Sequence, residues 1–389
     1  MKKIIDAIKK DEAEFIAIRR DIHAHPEIGF EEQRTSDLIA EKLKSWGYEV
    51  HRGLAKTGVV GTLKVGSSDK IIGLRADIDA LPIQENSGKE WSSKVPGKFH
   101  GCGHDGHTTI LLAAAKYLAE TKNFDGTLRV IFQPAEELLY GGKVMVDEGL
   151  FEKFPCDVIF GMHNMPGHKQ GEFYFREGAM MASSDTIHIE IMGKGAHGAM
   201  PERGIDATII ACYIGTALQT IVSRNVSPFA QTVVTVGAIQ SGDAPNVVND
   251  FAIMKLSVRS LDKEARELML QRITDIATKQ AESFGATVDI KHINGSPVLV
   301  NDPEMTHFAR DVAKHLVGED KVHESVQFMG SEDFAFMLEH NPKGSYLIIG
   351  NGDEPGFCNV HNPGYDFNDE CIVPAASYWA ALTQKYLTK

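Results

Sequence analysis

The 389-residue sequence has no apolar run long enough to span a membrane as a helix. Its N-terminal stretch mixes acidic and basic residues around short apolar groups, so we expect neither a membrane partner nor a signal peptide. Basic residues are also fewer than acidic residues. The chain has 40 Lys and Arg and 53 Asp and Glu, which gives a net charge of -13. So acidic a chain is a poor candidate for nucleic-acid binding, and we expect no nucleic-acid partner.

Cysteine is scarce as well. The five cysteines are odd in number and widely separated, which argues against a disulfide framework and favours reduced thiols. We therefore predict a cytoplasmic protein. Hydrophobic residues make up 43% of the chain and charged residues 24%, as in ordinary globular proteins, and the length allows one large domain or two smaller ones.

Apolar segments and helical patterns alternate in the first part of the chain. Strand patterns occur at 69–78, 126–133 and 156–164, and a helical pattern occurs at 108–120. Apolar strands separated by helices are typical of βαβ units on a buried, mostly parallel sheet. The sequence therefore predicts an α/β fold.

A different order of elements begins near Ser184 and ends near Asn294. It is strand, helix, strand, strand, helix, strand, which is the ferredoxin-like βαββαβ arrangement. We predict an inserted lid or dimerisation domain at 184–295, between two parts of one catalytic domain at 1–183 and 296–389. The lid strands alternate apolar and polar residues, so one face of this sheet is expected to meet solvent or another chain.

Candidate metal ligands lie where predicted strands end and where a helix begins. In open α/β sheets, ligand sites form at the carboxyl ends of the strands, so these side chains are expected to meet. Imidazole, thiolate and carboxylate suit zinc, imidazole also suits nickel, and manganese prefers oxygen donors. The candidates are Asp77, Asp79, Cys102, His104, Glu136, Glu137 and His163.

The adjacent carboxylates Glu136 and Glu137 point in different directions, so one can bind metal while the other takes a proton from water. Alone, such a pair is usually a solvated turn, and His163 alone is more often a buried structural histidine. Their joint placement at strand ends favours a site. An alternative is a nucleophilic Cys102 with a histidine base and no metal. The number of other donors nearby favours metal ligation.

Seven motifs, in the same order along nearly the whole chain, resemble those of the metal-dependent amidohydrolases. This family includes hippurate hydrolases, N-acyl-amino-acid deacylases and plant auxin-conjugate hydrolases, and the likeness is greatest to the bacterial hippurate hydrolases. The motifs are HPEIGFEE, GLRADIDALP, HGCGHDGHT, FQPAEE, GMHN, GKGAHGAMP and FMGSEDFAFM.

The resemblance implies a two-metal catalytic domain with an inserted lid, and two divalent ions per subunit drawn from zinc, manganese, cobalt or nickel. It implies metal ligation by Cys102, His104, Glu137, His163 and His361. Asp77 and Asp79 stand where distant relatives have a ligand histidine and an aspartate that orients it. Ligation by Asp77 is therefore left open, and Asp79 is expected to hold a ligand imidazole.

The resemblance also implies roles outside the metal ligands. Glu136 corresponds to the general base, and His197 corresponds to a histidine that stabilises the oxyanion, often across a dimer. Asn246 and Arg259 correspond to substrate-binding positions, and the Arg259 guanidinium suits bidentate binding of a carboxylate.

The predicted reaction is hydrolysis of the amide bond of a small N-acyl amino acid, with hippurate as the first candidate, to a carboxylic acid and a free amino acid. The alternatives are a dipeptidase, a deacetylase of another amino-acid derivative, or a non-catalytic metal-binding scaffold. The presence of Glu136 argues against the scaffold. A homodimer, or a tetramer built from dimers, is expected through the lid.

Overall fold

The computed structural model describes residues 2–354 and 357–388. Eleven α-helices occur in these ranges: α1 (Lys2–Ile8), α2 (Glu12–Ala24), α3 (Gln33–Ser45), α4 (His104–Thr121), α5 (Gly141–Asp147), α6 (Leu150–Lys153), α7 (Ala207–Leu218), α8 (Lys263–Ser283), α9 (Pro303–Val317), α10 (Phe334–His340) and α11 (Ile372–Tyr386).

Sixteen strands occur in the same ranges: β1 (Glu49–Leu54), β2 (Gly58–Val65), β3 (Ile71–Asp77), β4 (Gly126–Gln133), β5 (Val158–Pro166), β6 (Phe173–Phe175), β7 (Gly178–Met181), β8 (Ser183–Met192), β9 (Ala196–His197), β10 (Thr232–Gln240), β11 (Val247–Val248), β12 (Phe251–Ser260), β13 (Thr287–Ser296), β14 (Leu299–Asn301), β15 (Val322–Glu324) and β16 (Gly344–Gly352).

Two compact units divide the chain. The first contains the chain up to Gly178, Val300–Val326 and the segment from Asp333 onward. The second contains Ala179–Leu299 and Gln327–Glu332.

An eight-stranded sheet forms the framework of the first unit, in the order β1-β2-β4-β3-β5-β16-β6-β15. Its central strands β4, β3, β5 and β16 run parallel, whereas β1, β2 and β4 pair antiparallel. The central strands are apolar and buried nearly throughout, as expected for parallel strands covered on both faces. The predicted α/β class with a mostly parallel sheet is confirmed.

Helices α4 and α11 pack against each other within the core of the first unit. The α4 sequence contains the small and aliphatic run Leu111–Ala115, in which every side chain is buried. Small residues allow a helix to approach its neighbours closely, and the consistent burial explains why α4 lacks a polar face along most of its length. This buried helix begins at the functional site described below.

The second unit has a four-stranded antiparallel sheet in the order β10-β12-β8-β13. With α7 and α8, its chain order is β8-α7-β10-β12-α8-β13, so the predicted βαββαβ arrangement is confirmed. Alternate residues Ile187, Ile189 and Ile191 on β8 are buried and belong to the same core as α7 and α8. Asp206 and Asp262 cap the first turns of the two helices by accepting backbone hydrogen bonds.

The edges of the second unit differ from the predicted boundaries at 183/184 and 295/296, because they fall at 178/179 and 299/300 and the unit also takes in 327–332. Backbone hydrogen bonds account for this addition. The Ala182 N–H donates to the carbonyls of Phe328 and Gly330, and the Phe328 N–H donates to Met180. A segment remote in sequence thus joins the start of the unit.

No helix in the described ranges combines the length and apolarity needed to cross a membrane. The thiols of all five cysteines are free.

Candidate metal centre

Parallel pairing brings three ligand-bearing segments to one edge of the sheet in the first unit. Asp77 is the last residue of β3 and pairs with Gln133, the last residue of β4. The loop after β4 carries Glu136 and Glu137, and β5, on the other side of β3, carries His163. The topology therefore agrees with the prediction that these donors lie together at the carboxyl ends of the strands.

The loop before α4 completes the cluster. His104 is the first residue of α4, and Gly103 before it has a left-handed backbone with φ of 89°. A side chain at Gly103 would also collide, because its Cβ would lie 2.3 Å from Asn164 Nδ2 and 2.5 Å from Tyr365 Oη. Glycine is thus required for the tight turn that holds Cys102 and His104 against β5.

The structure brings together all five residues predicted to bind metal. Two groups of three possible ligand atoms share Cys102, and within each group the atoms lie within 4.8 Å of one another. Cys102 Sγ is 3.3 Å from His163 Nε2, and Glu137 Oε1 is 3.4 Å from His361 Nε2. The two groups are Cys102, His104, His163 and Cys102, Glu137, His361.

Glu136, the predicted general base, lies beside this cluster. Its side chain is buried, and Glu136 Oε2 is 4.0 Å from His104 Nε2. Glu137 Oε1 is 3.9 Å from the same nitrogen. The two adjacent carboxylates therefore both reach the region around His104, as a ligand and a base for one site would have to do.

The two aspartates of the DID sequence have different surroundings. Asp79 Oδ1 is 3.2 Å from His104 Nδ1, and Asp79 Oδ2 accepts a hydrogen bond from the Glu137 N–H at 3.0 Å. Asp77 instead contacts Arg75 at 2.7 Å and His107 at 2.6 Å. Asp79 thus contacts two of the predicted ligand residues directly. Asp77 Oδ2 is 3.9 Å from His104 Nε2, and Asp77, His104 and His107 form a further group of possible ligand atoms.

His361 reaches the cluster from a loop after β16. Its backbone is left-handed, with φ of 65°, and its N–H donates to the Gly101 carbonyl at 2.7 Å. This contact joins the His361 loop to the loop that carries Cys102. Residue-by-residue reasoning gave no sign of His361, which was predicted from the family resemblance alone.

Sequence reasoning missed His107 and Asn164 as structural parts of the site. The His107 Nε2 accepts hydrogen bonds from the backbone and the side chain of Asn164, each at 3.0 Å. The Asn164 amide also donates to the Cys102 carbonyl at 2.8 Å and accepts from Tyr365. The only signal was their proximity in sequence to His104 and His163.

A second network of buried charged groups surrounds Asp105, the residue after His104, and the sequence did not predict it. His23 Nδ1 is 2.8 Å from Asp105 Oδ2, and His23 Nε2 is 3.2 Å from Glu85 Oε1. The buried Arg19 guanidinium forms ion pairs with Asp105 and Asp369. Burial alone would lower the pKa of His23, but Asp105 and Glu85 raise it to about 9.

The electrostatics of the cluster favour a bound cation. Burial and the neighbouring Glu137 and Glu136 carboxylates hold the pKa of the Cys102 thiol well above its usual range. Burial and nearby groups that include His107 hold the pKa of the His163 imidazole well below its usual range. A thiolate–imidazolium pair is thus disfavoured, which argues against Cys102 as a nucleophile activated by histidine. A divalent ion would instead stabilise the thiolate.

The residues present fit a metal pair. His104 Nε2 and Glu137 Oε1 are buried and have no hydrogen-bond partner among the described residues. Buried polar atoms without a partner are costly, so such atoms within a cluster of imidazole, thiolate and carboxylate are those a metal ion would satisfy.

The three predicted residues outside this cluster belong to the second unit. His197 on β9 and Asn246 are brought together by the two-stranded pairing of β9 with β11, where the Gly198 N–H donates to the Asn246 carbonyl at 2.7 Å. Arg259 lies on β12, is half-buried, and donates to Ser331 Oγ at 2.7 Å.

An α/β sheet whose strand ends carry a compact set of metal ligands and one further carboxylate is the arrangement of a metal-dependent hydrolase. The model of the family described as Peptidase family M20/M25/M40 matches residues 73–385, and the chain belongs to this family.

Similarity to individual proteins extends over the full length. The chain is 47% identical over 385 residues to hippurate hydrolase of Campylobacter jejuni, covering 99% of each chain. It is 37% identical to N-acetyl-L-cysteine deacetylase of Bacillus subtilis, covering 94% of this chain and 86% of the relative.

A solved structure of a Bacillus subtilis dinuclear metal-binding peptidase from the M20 family superposes with a TM-score of 0.83 and 33% identity, covering 97% and 99% of the two chains. The predicted class, a metal-dependent amidohydrolase with two metal ions, is confirmed.

Proposed function

We propose that the protein hydrolyses the amide bond of N-acyl amino acids, with hippurate-like compounds as the first candidates, and releases a carboxylic acid and a free amino acid. The observation that carries this proposal is the position of Glu136 beside five potential metal ligands. The full-length similarity to a hippurate hydrolase supports the choice of substrate.

Two divalent ions would be held by Cys102, His104, Glu137, His163 and His361, a donor set that suits zinc, with manganese, cobalt and nickel as further candidates. When bound, they would supply Lewis-acid polarisation of the acyl carbonyl and acidify a water molecule. Glu136 takes a proton from the attacking water and returns it to the amine nitrogen as the amide bond breaks. Asp79 orients the His104 ring.

His197 is the proposed hydrogen-bond donor to the tetrahedral oxyanion. Its Nδ1 accepts a hydrogen bond from the Ala199 N–H at 3.0 Å. In the neutral ring this places the proton on Nε2, which is then available to donate. The ring is exposed, so Nε2 can reach a ligand.

Arg259, together with Asn246, is proposed to bind the amino-acid part of the substrate. The Arg259 guanidinium is half-buried, and it forms no ion pair with a carboxylate among the described residues. An arginine that has Ser331 as its side-chain partner retains donors for a substrate carboxylate. The proposed substrate-binding residues belong to the predicted lid, 184–295, and the proposed metal ligands belong to the predicted catalytic domain, 1–183 and 296–389.

The lid is also the proposed site of homodimerisation. Strand β10 is an edge strand of the lid sheet and exposes Val233 and Ile239, at 40% and 43% of their surfaces. An unpaired apolar edge favours pairing with a second chain, through a two-fold contact in a dimer or in a tetramer of dimers. We place the protein in the cytoplasm because its five thiols are free. Light scattering and cell fractionation would test these two assignments.

A deacetylase is the second candidate function, since the chain is also similar to N-acetyl-L-cysteine deacetylase. The deciding experiment removes metal by chelation, restores zinc, manganese, cobalt or nickel singly, and measures hydrolysis of N-benzoyl, N-acetyl and longer N-acyl amino acids. Preference for N-benzoyl glycine supports the first proposal, and preference for N-acetyl substrates supports the second. Full activity after complete metal removal would contradict both.

A further inference from the structure

The turn that carries Glu136 and Glu137 has an unusual backbone. Ala135, directly before Glu136, has a φ of 54°, and Leu139 has a φ of 52°. Residues with a Cβ rarely adopt this left-handed conformation because it costs free energy, so neighbouring groups must hold the turn in place. Such backbone strain often occurs at functional sites, where the surrounding structure maintains it.

Glu32, 103 positions earlier in the chain, contacts this turn. Its side chain is fully buried, and its carboxylate accepts hydrogen bonds from the Ala135 N–H at 2.9 Å and from Thr57 Oγ1 at 2.7 Å. On the other side of Glu136, Asp79 accepts from the Glu137 N–H at 3.0 Å. Two buried carboxylates therefore hold the two backbone N–H groups that flank Glu136.

The segment around Glu32 is itself firmly placed. Glu32 stands directly before α3, and its carbonyl accepts from the Ser36 N–H at 2.9 Å. Gly29 packs so closely on the turn that a Cβ there would lie 3.0 Å from the Ala135 Cβ and 2.9 Å from Leu138. The position of Ala135 is thus determined by both packing and hydrogen bonding.

The cost of burying Glu32 indicates that its hydrogen bonds matter. No Lys, Arg or His forms an ion pair with Glu32 among the described residues. Burial and the nearby Asp79 raise the pKa of Glu32 to about 7. Burying a carboxyl without a cation costs more free energy than burying an apolar side chain of similar size. The proposed hydrolytic chemistry gives Glu32 no role that would explain this cost.

We propose that Glu32 is a positioning residue for the hydrolytic reaction, which fixes the backbone at Ala135 and thereby directs the Glu136 carboxylate toward the reacting water. This inference rests on the proposed role of Glu136 as general base. It assigns a purpose to the HPEIGFEE motif, which the metal ligands and substrate contacts do not use.

Three substitutions at Glu32 distinguish the effect of side-chain length from the effect of side-chain charge. Gln keeps an oxygen that can accept from the Ala135 N–H but carries no charge, whereas Asp keeps the charge but is one methylene shorter. Leu has neither. We expect kcat near wild type for Glu32→Gln, and a fall on the order of 10- to 100-fold for Glu32→Leu and Glu32→Asp. KM and the metal content measured by mass spectrometry should change little. Glu31→Leu is the matched control, because Glu31 is exposed and pairs with Lys98.

The order of the kcat values among the variants tests the proposal. Wild-type kcat in Glu32→Leu would overturn it, and so would an active Asp variant with an inactive Gln variant, which would indicate an electrostatic role. Loss of metal in every variant would also overturn it, because Glu32 would then support the ligands. If Glu32→Leu does not fold, the comparison of kcat between Glu32→Asp and Glu32→Gln still tests the proposal.

A double variant separates this proposal from the role of Glu136 itself. If Glu32 acts through Glu136, adding Glu32→Asp to Glu136→Gln should cause no further loss of kcat. If the two losses multiply, Glu32 acts by another route. A Glu136→Gln single variant with near wild-type activity would refute the general base, whatever the result at Glu32.

Discussion

His104 Nδ1 lies 3.2 Å from Asp79 Oδ1, so the other ring nitrogen, Nε2, is the one that faces Glu136 and Glu137. A carboxylate beside one nitrogen of an imidazole places the proton there and leaves the lone pair on the other nitrogen. The Nε2 atom is buried and has no hydrogen-bond partner among the described residues. This geometry supports the proposal that Asp79 orients His104 to bind metal through Nε2.

Replacement of Asp79 by Asn should weaken metal binding. The amide can present either an acceptor or a donor to His104 Nδ1, so the ring is no longer held in one tautomer. We expect a 10- to 100-fold loss of metal affinity for Asp79→Asn, measured by titration with a competing chelator. Asp37→Asn is the control, since Asp37 is exposed and accepts a hydrogen bond from Gln33. An unchanged affinity in Asp79→Asn would contradict the orienting role.

Glu136→Gln should retain metal and substrate binding but lower turnover. Gln is nearly isosteric with Glu and cannot accept the proton from water. General-base catalysis contributes about 10²–10⁴-fold, so kcat should fall by that factor while KM changes little. Steady-state kinetics with metal analysis of the same sample would check this. A kcat within a few-fold of wild type would remove Glu136 from the role.

Much of this site could be predicted because its donors follow apolar strands whose parallel pairing puts their ends together. Glu137 lies after β4, His163 lies toward the end of β5, and Cys102 and His104 lie where α4 begins, so all four fit the predicted pattern of strand ends and a helix start. His361 does not, because its loop is placed by a hydrogen bond from its N–H to the Gly101 carbonyl. Local sequence carries no sign of such a long-range backbone contact.

Glu32 could not be identified for the same reason. Its main partner is the backbone N–H of Ala135, which any residue except proline could offer. The addition of 327–332 to the second unit likewise depends on backbone hydrogen bonds to Met180 and Ala182. Residue types and periodicity therefore predicted the order of elements and which candidate donors lie close together, whereas contacts made by the main chain required the structure.

The stability of the metal-free protein should depend on the charge of His23. Asp105 and Glu85 outweigh the effects of burial and of the Arg19 cation, and raise the pKa of His23 to about 9. The unfolded value is ~6.5. Because the folded value is the higher one, the stabilisation is fully present below pH 6.5 and is lost as the pH rises through 9. Its upper limit is about 3 kcal/mol.

Denaturant unfolding at pH 6, 8 and 10, in the presence of a chelator, would measure this effect. The free energy of unfolding of wild type minus that of His23→Gln should be greatest at pH 6 and should decline toward pH 10. His25→Gln is the control, since His25 lies on the surface beside the same helix end and about one third of its side chain is exposed. A difference that does not vary with pH would contradict the prediction.

The last prediction concerns His197, which the family resemblance relates to the site of a partner chain. Two inactive variants, His197→Ala and Glu136→Gln, are mixed under conditions that exchange subunits. In a mixed dimer whose sites each take His197 from the other chain, one site carries both substitutions and the other carries neither. Activity should therefore return to about half that of a wild-type dimer for each mixed dimer, because one site of the two is intact.

The controls are each variant incubated alone and a native mass spectrum that counts mixed dimers by a difference in tag mass. Activity must rise in proportion to the mixed dimers and must be absent from either variant alone. If mixed dimers form and no activity returns, each site in the mixture carries one substitution. His197 then acts on the site of its own chain, and the proposed dimer through the β10 edge is not needed for catalysis.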